Sequence, residues 1–278
     1  MVFDIRTRSG AVMPNLGMGT WRMGENDAAR RDEVIALQQG IDLGLRLIDT
    51  AEMYGRGGAE TVVAEAIAGR RDGIFVVSKV LPQNASYAGT LAACERSLKR
   101  LRTDRIDLYL LHWPGEHPLQ ETLRALVELV EQGKIRHYGL SNFDLEELER
   151  AEGLIGGPRV AANQVLYNVE RRGIERKLIP WCASKGVAVM AYSPLEQGRL
   201  RPDDGLRRVA ARHDASPAQV ALAWTLRHDN VVSIPKAARR AHVLANAKAA
   251  DLVLTEEDLA DIDRAFPPPR RDVPLETL

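Results

Sequence analysis

Four side chains whose types suit acid catalysis occur in the first half of the chain. Asp49 and Tyr54 are closely spaced, and Lys79 and His112 each follow a short apolar run. A free phenol has a pKa of about 10, which is too high for it to give up a proton readily at neutral pH. A lysine cation within about 4 to 6 Å would lower the pKa of Tyr54, and a carboxylate would hold that lysine charged. The pattern therefore predicts Tyr54 as a general acid, with His112 as a second donor that orients the oxygen receiving the proton.

These side chains need elements that bring them to one place, and the sequence predicts a βα repeat. The predicted strands are residues 15–20, 46–49, 74–79, 106–112, 137–141, 160–164, 187–192 and 231–235. Amphipathic helical stretches separate them at residues 27–43, 58–68, 88–101, 119–131, 145–152 and 216–227, and a last helix is expected at 256–266. Asp27 and the pair Ser216-Pro217 are predicted helix caps.

Eight such units are typical of an α/β protein with a (β/α)8 TIM barrel, in which polar residues at the carboxyl ends of the strands form the site. A doubly wound sheet also fits the alternation, but a Gly-x-Gly-x-x-Gly turn after the first strand is absent. Residues 3–8 and 10–13 are expected to form a β-hairpin that caps the barrel bottom. No linker divides the chain, so residues 1–278 are expected to be one domain.

The composition excludes several classes of protein. Lys and Arg number 38, Asp and Glu also number 38, and 45% of the residues are hydrophobic. This balance argues against a nucleic-acid protein, a membrane-bound protein or a disordered chain. Cys94 and Cys182 stand far apart, which favours the reducing cytoplasm. His112 and His117 flank a proline at a spacing that does not suit a metal site, so no metal is expected.

The motifs resemble those of the aldo-keto reductase family over nearly the whole chain. The catalytic pattern is matched by Asp49-Thr50-Ala51-Glu52-Met53-Tyr54, Ser78-Lys79 and Leu111-His112-Trp113-Pro114. The resemblance implies NADPH-dependent reduction of aldehydes and ketones, as in the bacterial branch that acts on methylglyoxal and other small aldehydes. It implies that the cofactor is bound by Gly19, Thr20, Trp21, Asp49, Ser141, Asn142, Gln164, Tyr192, Ser193, Pro194, Leu195, Ile234, Lys236, Ala237, His242 and Asn246.

Within that set, the short polar side chains of Ser141, Asn142 and Gln164 are suited to hydrogen bonding with a planar carboxamide. The Tyr192 ring is suited to stacking on a nicotinamide. Lys236 would pair with the phosphate that distinguishes NADPH from NADH. The chain departs from the family pattern at Ala237 and His242, where a serine and an arginine are common. Arg239 or Arg240 is expected to substitute, so NADPH is the preferred cofactor and use of NADH stays open.

Trp21, Met53, Tyr54, His112 and Trp113 are expected to line the substrate site. Because few residues follow the last predicted helix, the pocket is expected to be small or open, which favours small aldehydes or α-oxoaldehydes. The long interval between Tyr192 and Lys236 predicts an additional loop, residues 193–205, over the cofactor. We expect a monomer whose partner is a small-molecule carbonyl compound, with neither nucleic acid nor membrane.

Two other functions stay open. Lys79 would be the nucleophile of a Schiff-base lyase or aldolase on the same barrel, although a neighbouring carboxylate keeps an amine protonated and therefore unreactive. A non-catalytic module that senses a nicotinamide cofactor would use the same binding residues without turnover.

Overall fold

The computed structural model describes residues 2–154, 159–201 and 203–278 and contains two sheets. The larger sheet has eight parallel strands: β3 Gly17–Gly19, β4 Leu47–Asp49, β5 Phe75–Val80, β6 Ile106–Leu111, β7 Ile135–Ser141, β8 Ala162–Leu166, β9 Ala188–Tyr192 and β10 Val231–Ser233. The smaller sheet pairs β1 Asp4–Arg6 with β2 Val12–Pro14 in antiparallel register.

The eight strands follow one another around a barrel in chain order. Two single-residue parallel bridges, Leu16 to Ser233 and Gly19 to Lys236, join the first strand to the last and close the circle. A Cβ atom at Gly19 would lie 2.8 Å from the carbonyl oxygen of Ile234, so a side chain there would push the closing strands apart. The predicted (β/α)8 barrel is confirmed, and all eight carboxyl ends meet at one rim.

Helices surround the barrel and connect its strands. They are α1 Asp27–Asp42, α2 Gly58–Ala66, α3 Tyr87–Leu101, α4 Leu119–Glu131, α5 Leu145–Leu154, α6 Leu178–Lys185, α7 Asp204–Arg212, α8 Pro217–Thr225, α9 Arg240–Ala249 and α10 Glu256–Ala265. The Ser216 cap is confirmed as a capping box with Gln219. The Asp27 cap was wrong by one position, because the side chain of Asn26 accepts the amide of Ala28 and Asp27 is the first helical residue.

The N-terminal hairpin packs into the lower end of the barrel, as predicted. Ile5, Ala11 and Met13 are buried against inward-facing strand residues such as Leu47 and Leu108. Inside the barrel, apolar side chains therefore fill the space below the polar rim, and the rim lies above a dry core.

The long interval after β9 contains a helix as well as a loop. The sequence predicted only a loop at residues 193–205, whereas α7 begins at Asp204 and is capped by the side chain of Asp203. Residue 202 of the predicted loop lies outside the described residues. The extra length of this unit is thus a second helix packed against α8 and α10.

Candidate active site

Lys79 is the centre of the polar cluster at the rim. Its ammonium nitrogen Nζ donates to both carboxylate oxygens of Asp49 at 2.8 Å and to the carbonyl oxygen of Thr50 at 2.8 Å. It also lies 3.2 Å from the Tyr54 hydroxyl. Lys79 is fully buried and Asp49 nearly so, so this ion pair has little solvent to screen it.

Local sequence explains how these groups meet. Asp49 is the last residue of β4 and Lys79 lies near the end of β5, the next strand of the barrel. Tyr54 follows in a tight turn in which Gly55, Arg56 and Gly57 all have positive φ angles, of 55°, 54° and 89°. This turn reverses the chain and places the Tyr54 hydroxyl above Lys79.

The pKa of Tyr54 differs in direction from the sequence prediction. Burial first, and then the Asp49 carboxylate, raise the pKa of Tyr54 well above its usual value. The predicted lowering was wrong because desolvation of the phenolate outweighs the attraction of the nearby ammonium. Burial also lowers the pKa of Lys79, while Asp49 acts in the opposite direction. Tyr54 therefore keeps its proton at neutral pH, as a proton donor must.

His112 directly follows β6 and lies beside Tyr54, with 5.7 Å between the ring centroids. Burial, assisted by the Lys79 charge, lowers the pKa of His112 to about 2, so the imidazole is neutral. Its Nδ1 atom is buried and has no hydrogen-bond partner within the part of the chain that the structure describes. A buried polar atom without a partner is unusual and marks His112 as a residue whose position is not explained by the hydrogen bonds of the fold.

Aromatic side chains border the cluster on the solvent side. The Trp21 ring packs edge-on against Tyr54 at 4.9 Å, and the Trp113 ring lies 4.8 Å from His112. Trp21 remains 38% exposed, which places it at the mouth. Met53 is half-buried and packs against the main hydrophobic core, so most of its contact is structural.

The side chains predicted to hold a carboxamide also meet at this rim. Asn142 donates to the His112 carbonyl oxygen at 3.1 Å and accepts the Tyr192 hydroxyl at 2.9 Å. Gln164 donates its amide nitrogen to Asp49 at 2.7 Å. The Ser141 hydroxyl accepts from Asn142 at 3.3 Å, so its own hydrogen remains available. Burial raises the pKa of Tyr192 to about 12.

These donors and acceptors fit a nicotinamide carboxamide. A carboxamide offers two N–H hydrogens and one carbonyl oxygen. The amide oxygens of Asn142 and Gln164 carry further lone pairs that would accept those hydrogens, and the Ser141 hydroxyl would donate to that oxygen. The residues present therefore match the group in hydrogen-bonding type.

Other predicted cofactor residues are placed differently by the structure. Thr20 is fully buried, and its hydroxyl donates to the Asp49 carbonyl oxygen at 2.9 Å, so it anchors strand ends. Ile234 lies in the barrel interior, and Ala237 packs with Ala36 and Val243. These side chains serve packing, so any contact with a ligand falls to their backbone atoms.

The β9 end and the predicted phosphate site flank this rim. Pro194 and Asn246 are buried, Leu195 packs against the core, and Ser193 has a φ of 49° and accepts from Asn168 through its carbonyl oxygen. Lys236 and His242 are exposed. Arg240 donates to Gln39 at 3.1 Å, whereas Arg239 caps α9 without a side-chain cap bond.

The sequence reasoning missed the C-terminal segment, residues 267–278. Glu276 binds Arg171 at 2.9 Å, and the backbone of Leu278 lies close enough to the Tyr192 hydroxyl to oppose the rise in its pKa. Arg171 also binds Glu196, a buried residue of the β9 loop, at 3.1 Å. The segment thus returns to the rim beside Tyr192, at the edge of a pocket that was expected to be small or open. Apart from its acidic residues, the sequence of the segment contains nothing that predicts its packing beside Tyr192.

Neither a metal-binding cluster nor a membrane-spanning helix is found among residues 2–154, 159–201 and 203–278. No group of three or more His, Cys, Asp or Glu side chains could hold a metal ion. No helix in the same ranges has the length and apolar character needed to span a bilayer.

The barrel, the rim cluster and the comparisons define the class of this chain. Residues 15–266 match the sequence pattern of the aldo/keto reductase family, and the chain belongs to that family. The chain is 50% identical over 276 residues to methylglyoxal reductase YeaE of Escherichia coli (strain K12), with 96% of each chain covered. It is 36% identical to glyoxal reductase of Bacillus subtilis (strain 168), covering 93% of this chain and 91% of the relative.

A solved structure gives the same result. The aldo-keto reductase from Klebsiella pneumoniae, crystallised in complex with NADPH, has a TM-score of 0.95 and 49% identity, with all of both chains covered. The predicted family membership is therefore confirmed.

Proposed function

We propose that this protein reduces aldehydes and ketones to alcohols with NADPH, and that small α-oxoaldehydes such as methylglyoxal are its preferred substrates. One observation carries the catalytic part of the proposal: Lys79 Nζ lies between the Asp49 carboxylate and the Tyr54 hydroxyl, 3.2 Å from the latter. The NADPH-bound relative and the methylglyoxal and glyoxal reductases among the relatives support the cofactor and the substrate class.

NADPH, when bound, supplies a hydride to the carbonyl carbon, and the residues of this chain supply the proton and the orientation. Tyr54 Oη donates its proton to the carbonyl oxygen as that oxygen becomes negative. An alkoxide is a much stronger base than a phenolate, so this transfer is favourable even from a phenol with a raised pKa. Lys79 stabilises the phenolate that remains, and Asp49 holds Lys79 charged and aimed.

His112 is assigned the role of orienting the carbonyl oxygen through a neutral imidazole. Because its pKa is lowered to about 2, the ring does not compete with Tyr54 as a proton source. We assign Ser141, Asn142 and Gln164 to hydrogen bonding with the carboxamide of the cofactor. Tyr192 is assigned to stacking on the nicotinamide ring. Fixed orientation matters because hydride transfer needs the reacting carbons about 3 to 3.5 Å apart.

Lys236 and Arg239 are assigned to the phosphate of NADPH, with His242 at the edge of that site. Both cations are exposed at the start of α9. Use of NADH is expected to be weaker, because NADH has no phosphate for them to bind. The remaining organisation, also proposed here, is one domain over residues 1–278 and a monomer in the cytoplasm, the last supported by two buried cysteines that are not paired.

The Schiff-base alternative is disfavoured by the geometry of Lys79. An attacking amine must be neutral, whereas Lys79 donates to two carboxylate oxygens and one carbonyl oxygen. Failure of borohydride to trap a carbonyl adduct on Lys79 is the expected outcome. The cofactor-sensing alternative would show NADPH binding with no turnover on any carbonyl compound.

The test is NADPH consumption, followed by absorbance, across methylglyoxal, simple aldehydes, aldoses and aromatic aldehydes. We expect the highest kcat/KM for methylglyoxal and other small aldehydes. Absence of turnover on every member, with NADPH bound, would reject the reductase assignment. A higher kcat/KM for aldoses or aromatic aldehydes would reject only the substrate class.

A further inference from the structure

Glu60 is a fully buried carboxylate close to the rim that none of the roles above uses. It lies in the first turn of α2 and is 0% exposed. Its Oε1 atom accepts the Ser78 hydroxyl at 2.6 Å, and its Oε2 atom accepts Arg100 Nε at 2.5 Å. Burial of a carboxylate is costly unless both oxygens are bound, and here both are.

The two partners of Glu60 connect separate parts of the site. Ser78 immediately precedes Lys79 on β5, and alternation along a strand sends Ser78 outward to the helix layer while Lys79 points inward. Glu60 belongs to the helix that continues directly from the Tyr54 turn. The Ser78–Glu60 hydrogen bond therefore joins the helix that follows the acid to the strand carrying the ammonium.

The Tyr54 turn needs such a tie because its backbone is unfavourable. Arg56 has a φ of 54°, and a non-glycine residue in the left-handed region costs about 1 kcal/mol or more. Gly57 packs on Arg100, whose Cδ would be 2.5 Å from a Cβ at that position. The Arg100 side chain that binds Glu60 therefore also packs against Gly57, and this contact helps to hold the turn in its unfavourable conformation.

We propose that Glu60 is a positioning residue that, by binding Ser78, fixes the Tyr54 turn against β5 and keeps the Tyr54 hydroxyl within reach of Lys79. This inference rests on the proposed function of Tyr54 and Lys79. Without the tie, the turn is held to β5 only from its N-terminal side, where the Glu52 amide donates to the Lys79 carbonyl oxygen at 3.4 Å and the Glu52 carboxylate accepts the Leu81 amide at 2.8 Å.

The charge of Glu60 adds a second effect that an experiment can separate from the first. Burial lowers the pKa of Lys79, whereas Asp49, and to a smaller degree Glu60, raise it. The charged or titratable groups that face Lys79 are Asp49 from β4, Tyr54 from the turn and His112 from the end of β6, and Glu60 of α2 acts on it from the helix layer behind β5. Loss of the Glu60 charge is therefore expected to lower the pKa of Lys79 further.

Three variants separate position from charge. Ser78→Ala removes the tie, Ser78→Thr keeps the hydroxyl, and Glu60→Gln keeps two hydrogen-bonding atoms but removes the charge. With methylglyoxal and NADPH, we expect Ser78→Ala to lower kcat by about 10- to 100-fold, the effect of a small misplacement of reacting groups. KM and the Kd of NADPH, measured by protein fluorescence, change less than about twofold, and Ser78→Thr restores most of kcat.

For Glu60→Gln, we expect the alkaline limb of the kcat profile to move to lower pH. The control is Asp107→Asn, which alters a buried carboxylate at the opposite end of the barrel, where Asp107 binds Arg71 and the Val76 amide. Asp107→Asn is expected to lower stability without changing the kcat of the folded fraction or its pH profile.

Tyr54→Phe, measured in parallel, separates the role of Tyr54 as the acid from the positioning role of Glu60. Full activity of Tyr54→Phe would reject Tyr54 as the acid, the part of the proposed function on which this inference rests. An inactive Tyr54→Phe together with a folded Ser78→Ala of wild-type kcat would overturn the positioning role alone. If Ser78→Ala does not fold, Ser78→Cys, whose thiol is a weaker donor, replaces it: a folded Ser78→Cys with wild-type kcat overturns the positioning role, and a lowered kcat with unchanged KM supports it.

Discussion

Substitution of Tyr54 by phenylalanine tests the proton donor directly, and the structure indicates that it leaves the fold intact. The change removes only the hydroxyl, and the ring keeps its packing against Trp21 and His112. Lys79 has three N–H hydrogens, and three acceptors remain for them on Asp49 and Thr50. The free energy of unfolding is therefore expected to change by less than about 1.5 kcal/mol, the value of one ordinary hydrogen bond.

The effect on catalysis is expected to be much larger. A positioned general acid contributes about 10²- to 10⁴-fold to the rate, which corresponds to about 3 to 5 kcal/mol in the activation barrier. Water is a poor substitute at this position because Tyr54 is buried, with a residue exposure of 8%. We therefore expect kcat with methylglyoxal to fall by at least about 100-fold.

The assay measures kcat and KM from NADPH absorbance and the Kd of NADPH from fluorescence, with urea unfolding as the stability control. The Kd is expected to stay near the wild-type value, since Tyr54 has no assigned contact with the cofactor carboxamide. A variant that keeps more than about a tenth of wild-type kcat, a barrier change under about 1.4 kcal/mol, would refute Tyr54 as the acid.

Three further changes test neighbouring groups. Lys79→Met leaves the buried Asp49 carboxylate with Gln164 but no cation, so urea unfolding should show a loss of about 3 to 5 kcal/mol, and kcat should fall severely; wild-type stability would contradict this. The His112 imidazole binds no proton near pH 6 in the folded protein but binds one in the unfolded chain. Below about pH 6.5, the free energy of unfolding of wild type should therefore fall by up to about 1.4 kcal/mol per pH unit relative to His112→Gln. Parallel curves of unfolding free energy against pH for the two proteins would contradict this. Lys236→Met should raise the Kd of NADPH and leave that of NADH unchanged, and equal Kd values for both cofactors in wild type would remove Lys236 from its role.

Sequence reasoning was most effective where a periodic pattern must satisfy a repeated physical need. Continuous apolar runs such as Val76-Val77 predict strands buried on both faces, and helix α4 was predicted with its observed bounds, Leu119–Glu131. Asp49, Lys79 and His112 could be placed at one rim because parallel strands end at the same edge of a barrel. That placement required only the positions where the strands end, and the hydrophobic pattern of the sequence predicts these positions.

Features that depend on long-range contacts were not predictable in the same way. The return of residues 267–278 to Tyr192 rests on ion pairs such as Glu276–Arg171, which join residues far apart in sequence. The hydrogen bond from Gln164 to Asp49 joins residues that are 115 positions apart in the sequence. The raised pKa of Tyr54 follows from the degree of burial, a quantity that residue types alone do not give.

The apolar hairpin beneath the rim also determines how the protein responds to ionic strength. With Ile5 and Met13 filling the lower barrel, no mobile ions approach the Asp49–Lys79 pair from below, and its attraction is screened very little by dissolved salt. Lys236 and Arg239, by contrast, stand in the counterion atmosphere at the surface. In the proposed reaction, salt therefore weakens the capture of the anionic cofactor and leaves the chemical step almost untouched.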